Sequence, residues 1–341
     1  MSGNSFGDAL KITSFGESHG VALGCVLDGV PAEIRISAAE IQLELNRRRP
    51  GQSKITSPRD EKDRVEILSG IFDGRTLGTP IALLIRNSDA RSADYSKIKN
   101  IFRPGHADFA WEKKFGLRDF RGGGRSSGRE TVARVAAGAI ARKILDSRKI
   151  KITAFAKEIA GIVGEKFDPK NISKNLVRAA DSAAAKKMES AIIAAKNSGD
   201  SVGGVIEIRI QKCPAGLGAP VFDKISARLG AALFSIGGVK AVEFGAGFGA
   251  AKLRGSEMNL RGGGIAGGIT DGSEIVVRLA VRPTASISLP QKAVDSRGKI
   301  RKIQISGRHD PCLVPRIIPV AEAMVALVLA DFLLASRLDR I

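Results

Sequence analysis

Residues 205–210 read Val-Ile-Glu-Ile-Arg-Ile, and residues 274–279 read Glu-Ile-Val-Val-Arg-Leu. In both stretches an apolar residue stands at every second position, which is the period of a β-strand with one buried face. Other segments of the chain have the period of a helix. The fold class therefore depends on how the strands and helices are ordered.

Three helical segments are predicted, at residues 37–49, 128–147 and 171–196. Ser37 and Glu40 have the spacing of a capping box at the start of the first, and Ser127 and Glu130 have the same spacing at the start of the second. Strands and helices mix without the regular alternation of a doubly wound sheet, which favours an α+β fold. No Pro/Gly/Ser linker and no repeat interrupts the chain, so a single large domain over residues 1–341 is expected.

The charge balance indicates an anionic ligand. Lysine and arginine number 54 against 35 acidic residues, a formal net charge of +19. Such a field attracts anions. Nucleic acid is the first partner to consider, but the basic residues are spread along the chain, aromatic residues make up 5%, and no zinc finger, basic zipper or RNP pattern occurs. A polyanionic small substrate fits as well, and nucleic acid is not expected as the main partner.

Cysteine use and hydropathy bear on the compartment. Cys25, Cys213 and Cys312 lack the close spacing of a zinc site or a redox dithiol, so a reducing compartment and no metal are expected. The N-terminus carries no secretory signal pattern. The most apolar stretch, residues 319–335, contains Glu322 and Asp331 and falls short of a membrane span. These features predict a cytoplasmic protein without membrane contact.

The three histidines are the prime acid–base candidates. His19, His106 and His309 each lie in a polar, glycine-flanked segment. Histidine can give or take a proton near neutral pH. A loop histidine is more often a solvated surface residue, but charged neighbours accompany each one here, such as Asp108 near His106 and Asp310 beside His309. These neighbours favour a functional interpretation.

A glycine-rich segment precedes the second predicted helix. Residues 122–127 read Gly-Gly-Gly-Arg-Ser-Ser. The N–H groups and dipole at a helix N-terminus bind anions, and Arg125 and Arg129 would add positive charge. Helix capping explains Ser127 and Glu130, but it does not explain three glycines followed by arginine. The segment lacks the Gly-Lys-Ser/Thr of a nucleoside triphosphate loop, so alone it predicts only a weak phosphate site.

A second basic group ends the first predicted helix. Arg47, Arg48 and Arg49 are followed by Lys54, and Arg134 lies on the second predicted helix. Basic residues in a last helical turn are favoured by the helix dipole alone. Two carboxylates and a phosphate on one substrate would also need about this many cations, because buried anions must be paired. The residues alone leave both interpretations open.

Five motifs follow one another along the chain: GESHG at 16–20, RRRPG at 47–51, RPGHAD at 103–108, GRSSGRET at 124–131 and GRHDPC at 307–312. Together they resemble the chorismate synthase family, from residue 1 almost to the C-terminus. The resemblance implies a carbon–oxygen lyase that eliminates phosphate from 5-enolpyruvylshikimate 3-phosphate to give chorismate, the last common step toward the aromatic amino acids. It also implies reduced FMN, which is thought to lend an electron and then recover it.

The resemblance assigns three catalytic residues. His19 matches the family's general acid at the departing phosphate. His106 matches the histidine that protonates reduced flavin at N1, and Asp310 matches the carboxylate thought to help flavin N5 accept the substrate proton. Two histidines near a polyanion suit these roles, because their cationic forms would be favoured.

The resemblance also assigns binding residues. Those for flavin are Arg125, Ser126, Ser127, Gly237, Gly238, Gly267, Arg282, Pro283, Thr284, Ala285, Ser286 and Arg308. Those for substrate phosphate or a nicotinamide nucleotide are Arg48 and Lys54, with Arg49, Arg129 and Arg134 as further cations. NADPH is the candidate reductant, and the sequence does not decide whether the protein reduces its own flavin.

The fold implied by the resemblance is a β-α-β sandwich, with a helical layer between two antiparallel sheets, and the implied assembly is a homotetramer. Four features of the sequence depart from the family pattern. Gly237-Gly238 stands where Asn-Ala is common, and residues 282–286 read Arg-Pro-Thr-Ala-Ser in place of Lys-Pro-Thr-Ser-Ser. Lys54 replaces a usual arginine and loses its bidentate geometry. The loop at 253–262 looks shorter than in the relatives.

Two other classes stand as alternatives. A basic nucleic-acid-binding protein would bind DNA in a strongly salt-dependent way. A flavoprotein reductase would oxidise a nicotinamide in steady turnover.

Overall fold

The computed structural model describes residues 3–57, 61–88, 99–258, 262–305 and 309–339. The strands in these ranges are β1 Ser5–Phe6, β2 Lys11–Gly16, β3 Ala22–Asp28, β4 Val65–Ile67, β5 Ile71–Phe72, β6 Arg75–Thr76, β7 Ile81–Arg86, β8 Ile101–Phe102, β9 Lys151–Ile159, β10 Ile162–Val163, β11 Gly204–Gln211, β12 Val239–Phe244, β13 Ile265–Ala266, β14 Ile269–Thr270, β15 Ile275–Val281, β16 Gln291–Asp295 and β17 Ile300–Ile303. The α-helices are α1 Ala38–Arg48, α2 Asp108–Phe115, α3 Thr131–Asp146, α4 Pro169–Ile172, α5 Ser182–Asn197, α6 Ile225–Phe234, α7 Gly255–Met258 and α8 Val314–Ala335. Short 3-10 helices lie at Gly124–Ser126, Gly128–Glu130, Gly247–Lys252 and Ser336–Leu338.

Two five-stranded antiparallel sheets form the outer layers. Their strand orders are β1-β2-β3-β7-β4 and β10-β9-β11-β15-β12. Both strand predictions are confirmed, as β11 and β15, which pair with each other. The three isoleucines of β11 are buried as the period predicts. Glu207 on the same strand is buried too, because Arg209 and Arg278 both pair with its carboxylate.

A helical layer separates the two sheets. α3 and α8 pack against each other, α3 contacts β2, β3 and β7 of the first sheet, and α8 contacts β9 and β11 of the second. α1 packs on α3 and α8, and α6 packs on α8 and β12. One core of buried apolar residues runs through all three layers. The expected α+β fold, with helices between two antiparallel sheets, is confirmed.

α8 is the central helix of this layer. It is long and apolar enough to cross a membrane by length and composition, but 89% of its apolar window is buried inside the protein. The helix begins at Val314, ahead of the apolar stretch at 319–335. Asp331, near its end, accepts hydrogen bonds from the N–H groups of residues 8–10. Its apolar faces are therefore core surfaces, and its acids have protein partners.

Glu322, in the middle of α8, is the centre of a buried ion cluster. Its Oε2 lies 2.7 Å from Arg47 Nη2 and 2.6 Å from Arg142 Nη2, and its Oε1 accepts from the N–H of Ala154 at 2.9 Å. These groups come from α1, α3 and β9. A single carboxylate thereby joins three helices to the second sheet.

α3 and α8 are in close contact at Gly138. A Cβ at this position would lie 2.4 Å from the Cβ of Ala323 and 2.6 Å from its Cα. No side chain larger than hydrogen fits between the helices here, so this contact sets the spacing of the helical layer.

One of the two predicted capping boxes forms. Ser37 and Glu40 make both reciprocal hydrogen bonds at the start of α1. Ser127 instead accepts from the N–H of Arg129, and the carboxylate of Glu130 binds Arg134 and Ser14. The second capping box was wrong because stronger partners from other elements take the Glu130 carboxylate.

The third predicted helix is shorter than residues 171–196. Asp181 caps α5 by accepting from the N–H groups of Ala183 and Ala184 at 2.9 and 3.2 Å, so the helix begins only at Ser182. Arg178 has a φ of 59°, which interrupts any helix. Composition alone had not revealed this break.

Candidate active site

One cleft collects residues from the ends of several elements. It lies at the C-terminal end of α1 and the N-terminal ends of α3 and α8, with loops from residues 122–128, 237–238 and 282–286. The charged side chains in its described wall are those of Arg48, Arg103, Arg129, Arg282 and Arg316 against Glu61 and Asp310, with His106 and His309 beside them. This part of the wall has a positive balance and favours anionic ligands.

Asp63 joins two of these arginines. Arg48 Nη1 donates to its Oδ2 at 2.8 Å, and Arg129 Nη1 donates to its Oδ1. All three side chains are almost completely buried. Asp63 has a φ of 45°, a left-handed conformation in which aspartate is enriched over most residues. The loop between α1 and β4 thus presents one carboxylate to both arginines.

The remaining nitrogens of the two arginines differ in their partners. Arg48 Nε donates to Thr131 Oγ1 at 3.3 Å, and its Nη2 approaches a backbone oxygen at 3.5 Å. Arg129 Nε donates to Asn87 Oδ1 at 2.8 Å. Its Nη2 is buried 3.4 Å from Glu61 Oε2 and makes no well-formed hydrogen bond within the described residues. Within the described residues, Arg129 Nη2 is therefore held only by its ion pair with Glu61.

Burial and neighbouring like charges both act on Arg48. Burial lowers the pKa of Arg48 to about 10; Asp63 opposes this effect, and the charges of Arg316 and Arg129 add to it. The three guanidinium groups have three carboxylate partners, because Asp63 binds Arg48 and Arg129, Glu61 lies beside Arg129, and Asp310 binds Arg316.

Asp310 lies just before α8 and is held on both oxygens. The N–H of Ser57 donates to Oδ1 at 2.8 Å, and Arg316 Nη1 donates to Oδ2. Arg316 Nε also donates to the backbone oxygen of Arg48 at 3.2 Å. The ion-pair partner of Asp310 is therefore a residue of the first turn of α8, which links it to the end of α1.

His106 is oriented by Asp108, the first residue of α2. His106 Nδ1 lies 2.8 Å from Asp108 Oδ1 and 3.1 Å from Arg103 Nη2. Arg103 already donates to both oxygens of Asp108 at 2.8 Å. We therefore assign the Nδ1 proton to the bond with Asp108, which leaves Nε2 for a ligand. Burial opposes ionisation of Asp108, but hydrogen bonds and charges from Arg103 and His106 outweigh it and hold its pKa well below the usual range.

Two consecutive glycines seat two histidine rings. A Cβ on Gly122 would lie 2.1 Å from His19 Cε1, and a Cβ on Gly123 would lie 2.8 Å from His106 Cε1. Both glycines have positive φ, so conformation and space each exclude a side chain. This packing accounts for the glycine run that capping could not explain.

His19 does not line the described part of the cleft. It is buried, with Nδ1 3.1 Å from Ser18 Oγ. It contacts Gly122, which does line the cleft. Partial burial opposes ionisation of Asp119, but hydrogen bonds and charge from Arg121 outweigh it and hold the pKa of Asp119 below its usual value.

The comparisons with known proteins point to one family. The family model for chorismate synthase matches residues 10–334. The chain is 50% identical over 356 residues to a chorismate synthase of Chloroflexus aurantiacus, covering 100% of this chain and 98% of the relative. It is 52% identical over 344 residues to one of Syntrophobacter fumaroxidans, covering 98% of each. A crystal structure of a chorismate synthase matches with a TM-score of 0.77 and 32% identity, over 97% of this chain and 93% of the other.

The chain belongs to the chorismate synthase family. It is accordingly a lyase of this type, with a place in aromatic biosynthesis. The family implies a flavin requirement in general. The residues of the cleft fit a phosphate-bearing group, because five guanidinium groups line it and the buried Arg129 Nη2 lacks a well-formed hydrogen bond within the described residues.

The chorismate synthase cleft brings most of the predicted ligand residues together. Besides His106 and Asp310, the predicted residues that line it are Arg48, Ser126, Ser127, Arg129, Gly237, Gly238, Arg282, Thr284, Ala285 and Ser286. They come from segments more than 200 residues apart in sequence. Four of the five motifs therefore contribute to the described cleft, and GESHG adjoins it through the contact of His19 with Gly122.

Two predicted cations lie in a second, smaller pocket beside β1 and β2. Arg125 donates to Ser14 Oγ at 2.7 Å, and Arg134 Nε lies 2.9 Å from Glu130 Oε2. Arg125 and Arg129 diverge because Ser127, between two short 3-10 turns, is extended with φ −75° and ψ 143°. They line different pockets, although both had been expected to add positive charge at the start of the second predicted helix.

Other predicted residues also lie away from the described wall of the chorismate synthase cleft: Arg49, Lys54, Gly267 and Pro283. Arg49 follows the last residue of α1, and Pro283 stands between two residues that do line the cleft. Lys54 has a side chain that is 63% exposed and pairs with Glu189 at 2.8 Å. Gly267 forms the turn between β13 and β14. Arg308 and residues 259–261 of the loop at 253–262 lie outside the described residues.

Sequence reasoning missed Arg316 and Asp63 in this chorismate synthase site. Arg316 is a cation in the first turn of a helix, where the dipole disfavours positive charge. That anomaly was a readable signal. Asp63 stands in a short polar stretch between α1 and β4 with no local pattern to mark it.

Proposed function

We propose that this chain catalyses the anti-1,4-elimination of the 3-phosphate and a C6 hydrogen from 5-enolpyruvylshikimate 3-phosphate, which gives chorismate and phosphate. The observation that carries the proposal is the meeting of five guanidinium groups with His106 and Asp310 in one cleft of a chorismate synthase family member. A substrate with one phosphate and two carboxylates needs such a concentration of cations when it is buried. Reduced FMN, when bound, supplies an electron that assists departure of phosphate and is returned, so there is no net redox change.

The binding roles follow the positions of the side chains. Arg48 and Arg129 bind anionic groups of the substrate, with Arg129 Nη2 as a donor that makes no well-formed hydrogen bond within the described residues. The residues that would hold the flavin are Ser126, Ser127, Gly237, Gly238 and residues 282–286. Substrate and flavin would occupy one cleft, and we expect FMN to bind more tightly when the substrate is present; such coupling is reciprocal in free energy.

The acid–base roles fall to three side chains. His106 holds a proton, with Nδ1 fixed on Asp108 and Nε2 turned toward Gly123. Asp310 accepts a proton at its carboxylate, which Ser57 and Arg316 keep in position. His19 gives a proton to the departing phosphate. Its contact with Gly122, a residue of the cleft wall, supports this role.

The test is an anaerobic assay of the purified chain with 5-enolpyruvylshikimate 3-phosphate. With chemically reduced FMN we expect equal amounts of chorismate and inorganic phosphate, many turnovers per flavin. No phosphate release with reduced flavin would overturn the proposal. A second arm with oxidised FMN and NADPH asks whether the chain reduces its own flavin; turnover there supports NADPH as the reductant, and turnover only in the first arm indicates an external reductase.

The same preparation tests the remaining parts of the proposal. We propose a cytoplasmic homotetramer built from single-domain subunits. Exposed apolar side chains such as Phe222 and Phe248, 90% and 86% exposed, support subunit contacts. Sedimentation giving a monomer at micromolar concentration would overturn the tetramer.

Steady NADPH oxidation without substrate would favour the reductase alternative, and salt-sensitive DNA binding at physiological salt would favour the nucleic-acid alternative.

A further inference from the structure

Asp63 is placed where no ligand reaches it directly. Its side chain is fully buried and does not line the described cleft, yet both of its oxygens bind arginines that do. The left-handed backbone at Asp63 turns the carboxylate toward the end of α1 and the turn before α3. The loop is thus shaped around a contact between protein groups.

The contact of Asp63 with Arg48 and Arg129 places a negative charge between two positive ones. Arg48 and Arg129 meet at one carboxylate, and Arg316 is close enough to act on Arg48 as well. Like charges brought together in a buried site repel, and the repulsion is tolerable only with a counter-charge between them. Without Asp63 the two guanidinium groups would separate or lose a proton.

The geometry also defines what each arginine offers. Arg48 uses its Nε and Nη atoms on Thr131, Asp63 and a backbone oxygen, so it presents mainly its charge. Arg129 is fixed through Nε and Nη1, and its Nη2 lies 3.4 Å from Glu61 Oε2. The pair therefore presents two oriented positive charges at the cleft wall.

We propose that Asp63 is a positioning residue for the reaction, whose carboxylate fixes Arg48 and Arg129 as a paired anion receptor for the substrate. This inference rests on the proposed function. Its distinct content is that the residue acts through the two arginines and touches neither substrate nor cofactor.

The experiment measures binding of 5-enolpyruvylshikimate 3-phosphate by calorimetry without flavin, and KM and kcat with reduced FMN. Asp63→Asn keeps the shape and removes the charge. We expect affinity to fall roughly tenfold or more, in line with the sensitivity of anchored groups to small displacements, with KM rising by more than kcat falls. Asp63→Glu keeps the charge but moves it by one methylene, so an intermediate loss is expected.

Glu322→Gln is the matched control, because Glu322 is also a buried carboxylate that bridges two arginines but does not line the described cleft. It should leave substrate affinity within about twofold of the wild type, since it moves no ligand group. Equal losses in Glu322→Gln and Asp63→Asn would mean that any buried bridge matters, and would overturn the proposal.

The pH profile separates positioning from general stability. Asp63 opposes the lowering of the Arg48 pKa, so its removal lowers that pKa further below about 10. Affinity in Asp63→Asn should therefore decline as pH rises from 7 to 9.5, whereas the wild-type affinity stays nearly flat over this range. If Asp63→Asn does not fold, Asp63→Glu decides, and unchanged affinity in that variant overturns the proposal. A wild-type chain that does not bind the substrate would instead overturn the proposed function.

Discussion

The clusters around Asp63 and Glu322 are built alike and differ in what surrounds them. Each has one buried carboxylate between two guanidinium groups. The arginines that enter them from α1 are consecutive, Arg48 in the first and Arg47 in the second. Burial works against both charges. It prevails at Arg48, whose pKa drops to about 10, whereas at Arg47 the carboxylates of Glu322 and Glu44 overcome it and raise the pKa above its usual value.

The comparison indicates that the cluster around Glu322 stabilises the fold, whereas the cluster around Asp63 serves ligand binding. Around Arg47 the protein supplies two carboxylates, so that guanidinium is satisfied within the fold. Around Arg48 it supplies Asp63, which is shared with Arg129, and both arginines line the cleft. Arg178 lies near the cluster around Glu322, and burial together with the charge of Arg47 lowers its pKa to about 10. In the core the lowered pKa thus belongs to a neighbour of Arg47. In the cleft it belongs to Arg48, which pairs with Asp63 directly.

The largest expected effect concerns the cleft. Asp310→Asn keeps the side-chain shape but removes the proton acceptor, so turnover with pre-reduced FMN should fall by roughly a hundredfold or more. The alternative is that Asp310 serves only as the partner of Arg316, in which case the variant would lose stability and keep near-normal turnover. Asp331→Asn, another buried carboxylate, is the control and should show that second pattern.

The core cluster should give the opposite result. Glu322→Gln leaves Arg47 and Arg142 without their shared counter-charge, so the free energy of unfolding should fall by about 3 kcal/mol. KM and kcat of the folded fraction should stay near the wild-type values. Urea titration and steady-state kinetics on one preparation measure both quantities, and a large change in KM would erase the distinction between the two clusters.

The same variant has a signature in acid. Burial opposes ionisation of Glu322, but Arg142 and Arg47 outweigh it and lower its pKa below 4.5. A carboxyl group with a lowered pKa in the folded state stabilises the fold above its unfolded-state pKa, and that contribution is lost as pH falls below it. Wild-type stability should therefore drop more steeply below about pH 4.5 than that of Glu322→Gln. Parallel curves would show that Glu322 is not responsible for the acid sensitivity.

A smaller effect is expected at the contact between α3 and α8. Gly138→Ala forces a methyl group against Ala323 and should destabilise the protein by about 2 kcal/mol, because close-packed helices resist added volume. Gly230→Ala on α6 is the matched control, since nothing lies within 4 Å of its added Cβ. It should be neutral or stabilising by a few tenths of a kcal/mol, up to about 1 kcal/mol. Similar melting temperatures for the two variants would contradict this account of the helical layer.

The smallest effect should come from Lys54. Its side chain is largely exposed and paired with Glu189, and it does not line the described cleft. Lys54→Ala should change the free energy of unfolding by no more than about 0.5 kcal/mol and leave the KM for substrate unaltered. A severalfold rise in KM would show that Lys54 reaches a bound anion, as its motif position predicts.

What the sequence could predict depended on how local the information was. Residues close together in sequence predicted the strands β11 and β15 and the capping box of α1. These predictions are confirmed. The route of the chain between Arg125 and Arg129 depends on an extended Ser127, and no periodic pattern reveals a single extended residue. Asp63 acquires its role only when α1 and the start of α3 are brought together. The motifs identified the cleft, but the carboxylates behind its arginines are a product of tertiary packing.

One feature of α1 constrains how this enzyme can change in length. Successive residues of an α-helix point about 100° apart, and this single step sends Arg47 into the layer between the sheets and Arg48 to the cleft wall. Inserting or deleting one residue in the helix would rotate both guanidinium groups away from their carboxylates. Evolution can lengthen or shorten loops such as the one at 253–262 one residue at a time. In α1 the same small event would disturb the core and the binding site together, so its length is expected to vary least.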